Sequence, residues 1–129
     1  MSDALRFAPA LGRLLIAIIF IMSGFGKLTD FAGSVGYAES VGMPLPQLGI
    51  AAAIVVEFFG GIALVLGFKT RWVAAAIAVF SIVAAFLFHA NFADQMQAIN
   101  FWKNVAIAGG LLQIVYFGAG PLSLDNRGK

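Results

Sequence analysis

Four long apolar stretches restrict what this chain can fold into more than any other feature of its sequence. Each is close to the roughly 20 residues that an α-helix needs to cross a hydrocarbon core of about 30 Å. A transmembrane barrel would need short segments of alternating polarity, which the sequence lacks. The sequence therefore predicts an all-α integral membrane protein, a bundle of four transmembrane helices in a single domain over residues 1–129. The predicted spans are residues 7–28, 48–68, 72–89 and 101–118.

The composition supports the same class. Hydrophobic residues make up 61% of the 129-residue chain and charged residues 11%, against about 25% charged in soluble domains. A soluble domain of this size buries only about two-thirds of its surface, so it could not hide this much apolar side chain. The chain has no run of basic residues of the kind that binds nucleic acid. The absence of cysteine excludes a disulfide framework and an intrinsic dithiol mechanism.

The connections between the spans predict an orientation. The first long connection, residues 29–47, is expected to hold a short interfacial helix around residues 31–40, and residues 89–100 form a second polar connection. The tail, residues 122–129, is polar and expected to fray. Basic residues concentrate on cytoplasmic loops, so both termini are predicted to be cytoplasmic. The basic residues on that side are Arg6, Arg13, Lys69, Arg71, Arg127 and Lys129.

Glu57 is the most unusual residue of the apolar stretches. It lies near the middle of the second span, just before Gly60 and Gly61. An ionisable side chain at this depth is costly and generally functional. Two interpretations are open: Glu57 forms a structural ion pair with Arg13 of the first span, or it faces the outer half of the bundle and forms the floor of a pocket.

The outer half of the bundle can collect several polar side chains. Depth and helical periodicity place them there on faces shared with small residues, which mark helix contacts in bilayers. The predicted ligand-binding set is Lys27, Glu57, His89, Lys103 and Asn104, with Glu57 and His89 as the candidate catalytic residues. The alternative for the two lysines is snorkelling to the interface, and for Asn104 an interhelical hydrogen bond. A single histidine predicts no metal site.

Five short motifs occur in a characteristic order: Arg13-Leu14-Leu15, Ser23-Gly24-Phe25-Gly26-Lys27-Leu28, Glu57-Phe58-Phe59-Gly60-Gly61, Phe88-His89-Ala90-Asn91-Phe92 and Lys103-Asn104. From about Phe7 to Asp125 the chain resembles the DoxX family of small bacterial inner-membrane proteins. The resemblance implies a four-helix bundle in the bacterial inner membrane. It also implies quinone or redox chemistry, since relatives include a subunit of thiosulfate:quinone oxidoreductase. The family's polar positions fall on Arg13, Lys27, Glu57, His89, Lys103 and Asn104.

These observations lead to one favoured function and two alternatives. The favoured one is a redox-associated membrane subunit that binds a quinone, with the lipid bilayer around it and a redox protein or a second copy as partner. The alternatives are a structural or assembly protein without a ligand, and a small proton-coupled transporter. The sequence leaves open whether the protein is an enzyme.

Overall fold

The computed structural model describes residues 3–127, and within that range the chain is helical without strands. A short 3₁₀ turn, Asp3–Arg6, leads into α1, Phe7–Thr29, which is followed by the short helix α2, Phe31–Ser40. The next rod consists of α3, Pro46–Ile54, a π-helical turn, Val55–Phe59, and α4, Gly60–Leu66. It is followed by α5, Thr70–Phe88, and α6, Gln95–Phe117.

Four segments are long and apolar enough to cross a membrane, as the sequence predicts. They are Asp3–Thr29, Pro46–Leu66, Thr70–Phe88 and Gln95–Phe117. The bundle therefore has two ends. The α2 end holds α2 and the α5–α6 loop, and the opposite end holds the α4–α5 turn and the last described residues.

Local sequence signals explain where the helices begin and end. The Asp30 carboxylate accepts a hydrogen bond from the Gly33 backbone N–H at 3.1 Å and so caps α2, which occupies the predicted residues. Gly67, with φ of +69°, ends α4 in the left-handed conformation that glycine tolerates best. Asp94 caps α6 through the Met96 backbone N–H at 2.9 Å.

The start of α6 differs from its expected position. The helix begins at Gln95, six residues before the predicted start at Phe101. The prediction followed hydropathy alone, and residues 95–100 are too polar to register as part of a span. The cap by Asp94 starts the helix regardless of that polarity, so the last loop is only residues 89–94.

Small residues bring the first two spans close together. A Cβ atom on Gly24 of α1 would lie 2.6 Å from the backbone nitrogen of Phe58, and one on Gly61 would lie 2.7 Å from a side-chain carbon of Ile21. Both glycines are buried, so the backbones approach as closely as small-residue contacts in bilayers allow. This contact sets α1 against the π-helical turn.

The core at the centre of the bundle consists of one phenylalanine and otherwise small or branched apolar residues from all four spans: Ala17, Phe20, Leu64, Ala74, Ile77, Ala78, Ala108 and Leu111. Large apolar side chains such as Leu15, Met22 and Val79 are exposed on the outside of the bundle. That arrangement suits a protein whose surroundings are lipid, because exposure to acyl chains carries no hydrophobic penalty.

The last described residues do not fray as expected. The Leu124 and Asp125 backbone N–H groups donate to the carbonyls of Leu66 and Gly67 at 3.0 and 2.9 Å. The predicted fraying is therefore wrong up to Arg127, while Gly128 and Lys129 lie outside the described residues. We call residues 118–127 the C-terminal segment.

Candidate functional site

The π-helical turn positions Glu57. It interrupts the second span between α3 and α4, and Glu57 in its centre is only 3% exposed. Single π-helical turns inside longer helices are frequent at functional sites. Because the turn packs against α1, the carboxylate faces the first span and does not face lipid.

Glu57 forms an ion pair with Lys27 of α1. The distance from Lys27 Nζ to Glu57 Oε1 is 2.9 Å, and the ammonium also donates to Ser23 Oγ at 2.8 Å. The Glu57 side chain is 5% exposed and that of Lys27 25% exposed. Lys27 therefore reaches inward instead of snorkelling, and its charge offsets the cost of an ionised carboxylate at this depth.

The ion pair leaves one carboxylate oxygen without a hydrogen bond. Glu57 Oε1 is enclosed and lies 2.9 Å from the ammonium, whereas Oε2 receives no hydrogen bond from residues 3–127. A buried acceptor without a donor is costly. Glu57 is thus neutralised in charge while retaining capacity to accept a hydrogen bond.

The predicted ion pair between Arg13 and Glu57 is wrong. The Arg13 guanidinium, 1% exposed, donates to four backbone carbonyls. Those of Leu64 and Val65 close α4, and those of Ala119 and Leu122 belong to the C-terminal segment, at distances of 2.6 to 3.0 Å. Carbonyls at a helix C-terminus lack intrahelical donors and carry partial negative charge. They can therefore satisfy the guanidinium in place of a carboxylate.

Asp125 completes this junction at the opposite end of the bundle. Its carboxylate accepts hydrogen bonds from the Lys69 and Thr70 backbone N–H groups, both at 2.8 Å, and so caps α5 from a distant part of the chain. Burial raises the pKa of Asp125, but hydrogen bonds from Thr70 and Lys69 and the charge of Arg13 outweigh it. The net pKa lies below the ordinary value.

His89 and Asn104 hold defined positions at the α2 end. His89, just after α5, has Nδ1 at 2.7 Å from Gln97 Oε1. Asn104 of α6 donates from Nδ2 to the Ser81 carbonyl of α5 at 3.2 Å, the interhelical bond considered as its alternative role. Both side chains are half-buried, whereas Lys103 is exposed.

The five predicted ligand-binding residues line one cavity of about 770 Å³. Its walls come from α1, α2, α3, the π-helical turn, α5 and α6, and most of the lining is apolar. Ligand pockets commonly have volumes of about 300–1,000 Å³ with a few placed polar groups. Its aromatic lining consists of Phe20, Tyr37, Phe80 and Phe88. The role of the five residues in binding stays a prediction.

Three polar residues of this region were not predicted from the sequence. Ser23 supports Lys27, Gln97 orients His89, and Ser81 accepts from Asn104. Ser23 was detectable, because residues four apart share a helix face. Gln97 was assigned to a loop, and the Ser81 contact uses a backbone carbonyl, which every residue has. The stacking of Tyr37 from α2 on Phe88, with ring centroids 5.7 Å apart, was also not foreseen.

Fold and cavity together define a class: a four-span helical membrane protein with a buried lysine–glutamate pair beside a largely apolar cavity. The chain belongs to the DoxX family, whose sequence profile matches residues 8–90. That match includes Arg13, Lys27, Glu57 and His89.

Relatives are similar over nearly the whole chain. Inner membrane protein YqjF of Escherichia coli (strain K12) is 42% identical over 113 residues, which cover 88% of this chain and 85% of the relative. Inner membrane protein YphA of the same strain is 38% identical over 123 residues, 91% and 87% of the two chains. An uncharacterized protein of Haemophilus influenzae is 33% identical over 134 residues, 98% and 97% of the two chains. No solved structure matches the chain significantly.

Proposed function

We propose that this protein is a multi-pass inner-membrane protein that binds the ring of a quinone-type molecule in the 770 Å³ cavity, as a redox-associated subunit. One observation carries the proposal: cationic, anionic, imidazole and amide side chains from four separate elements line the same largely apolar cavity. A flat ring with polar oxygens matches such a lining, because its faces are apolar and its edge forms hydrogen bonds.

The side chains have complementary roles toward such a ring. The ammonium groups of Lys27 and Lys103 are donors to ring oxygens, while Glu57 and His89 are groups that accept protons. Electrons would come from a partner redox protein, because a chain without cysteine has no intrinsic dithiol to supply them.

The orientation follows from the basic residues. Lys69, Arg71 and Arg127 lie at the end opposite α2, as do the first and last described residues, Asp3 and Arg127. By the positive-inside rule, this end would lie in the cytoplasm. The cavity would then open toward the outer half of the inner membrane, the membrane for which the two Escherichia coli relatives are named.

Tryptophan fluorescence offers a direct binding test. Trp102 precedes Lys103 at the α2 end, while Trp72 lies near the start of α5 at the other end. In a Trp72→Phe background the only tryptophan left is Trp102, the sequence neighbour of the lining residue Lys103. We expect ubiquinone-1, added to the full chain in nanodiscs, to quench Trp102 saturably.

Two cavity variants and two matched controls locate the site. Lys103→Gln and His89→Ala should raise the Kd at least about fivefold, since a hydrogen bond to a charged group contributes about 1.5–3 kcal/mol when buried and less when exposed. Lys69→Gln and Asn91→Ala, both exposed and outside the cavity lining, should leave the Kd unchanged. Absence of saturable quenching, or equal Kd values in all four variants, would refute the proposal.

The two alternatives predict different results. A structural or assembly protein would show no saturable quenching, and cavity variants would change only its stability or its partner. A proton-coupled transporter would show flux in proteoliposomes that depends on a pH gradient and is lost in Glu57→Gln.

A further inference from the structure

We infer that the cavity selects the hydroquinone over the quinone, because His89, Asn104 and Glu57 each present a free hydrogen-bond acceptor among its lining residues. The inference rests on the proposed function and makes it more specific. A quinone oxygen only accepts hydrogen bonds, whereas a hydroquinone oxygen carries a hydrogen that it donates.

His89 contributes the first free acceptor. An amide oxygen cannot donate, so the short contact between His89 Nδ1 and Gln97 Oε1 requires the proton to be on Nδ1. In the neutral imidazole this leaves Nε2 as an acceptor. Gln97 is therefore a positioning residue that fixes both the ring orientation and its tautomer.

Asn104 contributes the second free acceptor. Its amide nitrogen is engaged by the Ser81 carbonyl at 3.2 Å, which fixes the orientation of the amide. The Oδ1 atom has no hydrogen-bond donor in the part of the chain that the structure describes. Since Asn104 lines the cavity, Oδ1 is available there as a hydrogen-bond acceptor.

Glu57 contributes the third and most demanding acceptor. The side chain is 95% buried, and Oε1 is occupied by the Lys27 ammonium at 2.9 Å, which leaves Oε2 as the carboxylate oxygen without a hydrogen bond from residues 3–127. A ring carbonyl directed at this oxygen would place two acceptors against each other. A ring hydroxyl would instead supply the missing donor, in a charge-assisted hydrogen bond.

The two lysines do not reverse this preference. The Lys27 ammonium is already engaged by Ser23 and Glu57, and Lys103 is exposed and can turn toward solvent or headgroups. A hydroxyl oxygen still accepts from an ammonium while its hydrogen is donated elsewhere. The hydroquinone thus pairs with both the donors and the acceptors that line the cavity, whereas the quinone pairs only with the donors.

Calorimetric titration of both redox forms tests this preference. The full chain in nanodiscs is titrated with ubiquinone-1, and with ubiquinol-1 under argon with dithionite, subtracting empty nanodiscs. The reductant has no disulfide to attack in this protein. We expect ubiquinol-1 to bind about tenfold more tightly, the effect of one hydrogen bond to a charged acceptor.

The outcomes separate this inference from the function on which it depends. Equal binding of the two forms, or tighter binding of ubiquinone-1, would overturn the selectivity and leave the proposed function intact. Absence of binding by either form would overturn the proposed function itself.

Matched variants assign the selectivity to its residues. Glu57→Gln replaces the carboxylate with an amide that also donates, so the Kd ratio of the two forms should fall below about threefold. Glu39→Gln, an exposed carboxylate outside the cavity lining, should retain the parent ratio. An unchanged ratio in Glu57→Gln would overturn the assignment of this acceptor.

A second pair of variants covers the case in which Glu57→Gln does not fold. Gln97→Leu removes the acceptor that holds His89 Nδ1, so the ring can turn and the ratio should fall about threefold. Gln95→Leu, exposed and outside the cavity lining, is its control and should retain the ratio. Equal ratios in these two variants would refute the positioning role of Gln97.

Discussion

Replacing Arg13 with methionine tests the junction between the C-terminal segment and the rest of the bundle. The guanidinium is 1% exposed and donates four hydrogen bonds to backbone carbonyls. A hydrogen bond to a charged group contributes about 1.5–3 kcal/mol, but four from one side chain are not additive and the charge is costly to bury. We therefore expect Arg13→Met to lower the free energy of unfolding by about 3–5 kcal/mol, the cost of breaking a buried ionic network.

Steric trapping in bicelles measures this free energy without removing the protein from lipid. Hydrogen exchange at the Leu124 and Asp125 amides, which bond to the end of α4, should accelerate in the same variant because the C-terminal segment loses its anchor. Arg6→Met is the control, since Arg6 is exposed, and it should cost less than about 1 kcal/mol. A comparably small loss in Arg13→Met, or unchanged exchange at both amides, would refute the reasoning.

A double-mutant cycle separates this junction from the original ion-pair interpretation. Arg13 and Glu57 share no partner, so Arg13→Met and Glu57→Gln should add within about 0.5 kcal/mol. A coupling free energy above about 1 kcal/mol would restore a direct pair between Arg13 and Glu57.

Three other tests probe contacts elsewhere in the bundle. Gly24→Ala would place a Cβ 2.6 Å from the Phe58 backbone nitrogen and should cost about 1–3 kcal/mol by the same trapping assay, as overpacking does. Lys27→Met and Glu57→Gln should couple by about 1–3 kcal/mol in a double-mutant cycle, because the two charges are in contact. Asp125→Asn should cost about 1 kcal/mol at neutral pH, as loss of a helix cap does. The folded pKa of Asp125 is lowered, so the stability difference between the parent and Asp125→Asn should hold above the ordinary carboxyl pKa of about 3.9. It should vanish as pH falls through the lower folded pKa. Melting curves across pH would measure this.

The Gly24 test has a control in the same chain. Gly26→Ala adds a Cβ that meets no atom of another element within 4 Å, and it should not lower stability. Equal losses for Gly24→Ala and Gly26→Ala would show that helix packing is not the cause. For Asp125, a stability difference that grows below pH 4 would contradict the lowered pKa.

The architecture was predictable from the sequence because hydropathy and length nearly suffice in a membrane. The four spans and α2 follow from apolar run lengths and from turn residues such as Asp30. The start of α6 was missed because a polar helix end protruding beyond a span resembles a loop by composition. Asp94 was the available signal, as an N-cap residue directly before the helix.

The partners of the charged residues were harder to predict. Depth along a helix axis placed Arg13 and Lys27 on either side of Glu57, and neither side was excluded. The outcome depends on the C-terminal segment, which folds back and supplies carbonyls to Arg13. Carbonyl oxygens belong to every residue, so no sequence pattern marks them as ligands. With Arg13 already satisfied, Lys27 is the cation that remains for Glu57.

The Arg13 contacts also impose an order on biogenesis. Ala119 and Leu122 are 106 and 109 residues beyond Arg13 in the chain, so at a synthesis rate of about 5–20 residues per second they are made roughly 5–20 s after it. During that interval the first span holds a guanidinium whose acceptors are not all yet translated. Residues 119 and 122 therefore complete the hydrogen bonding of a side chain that belongs to a much earlier span. A nascent chain stopped before Ala119 would hold Arg13 without half of its hydrogen-bond acceptors.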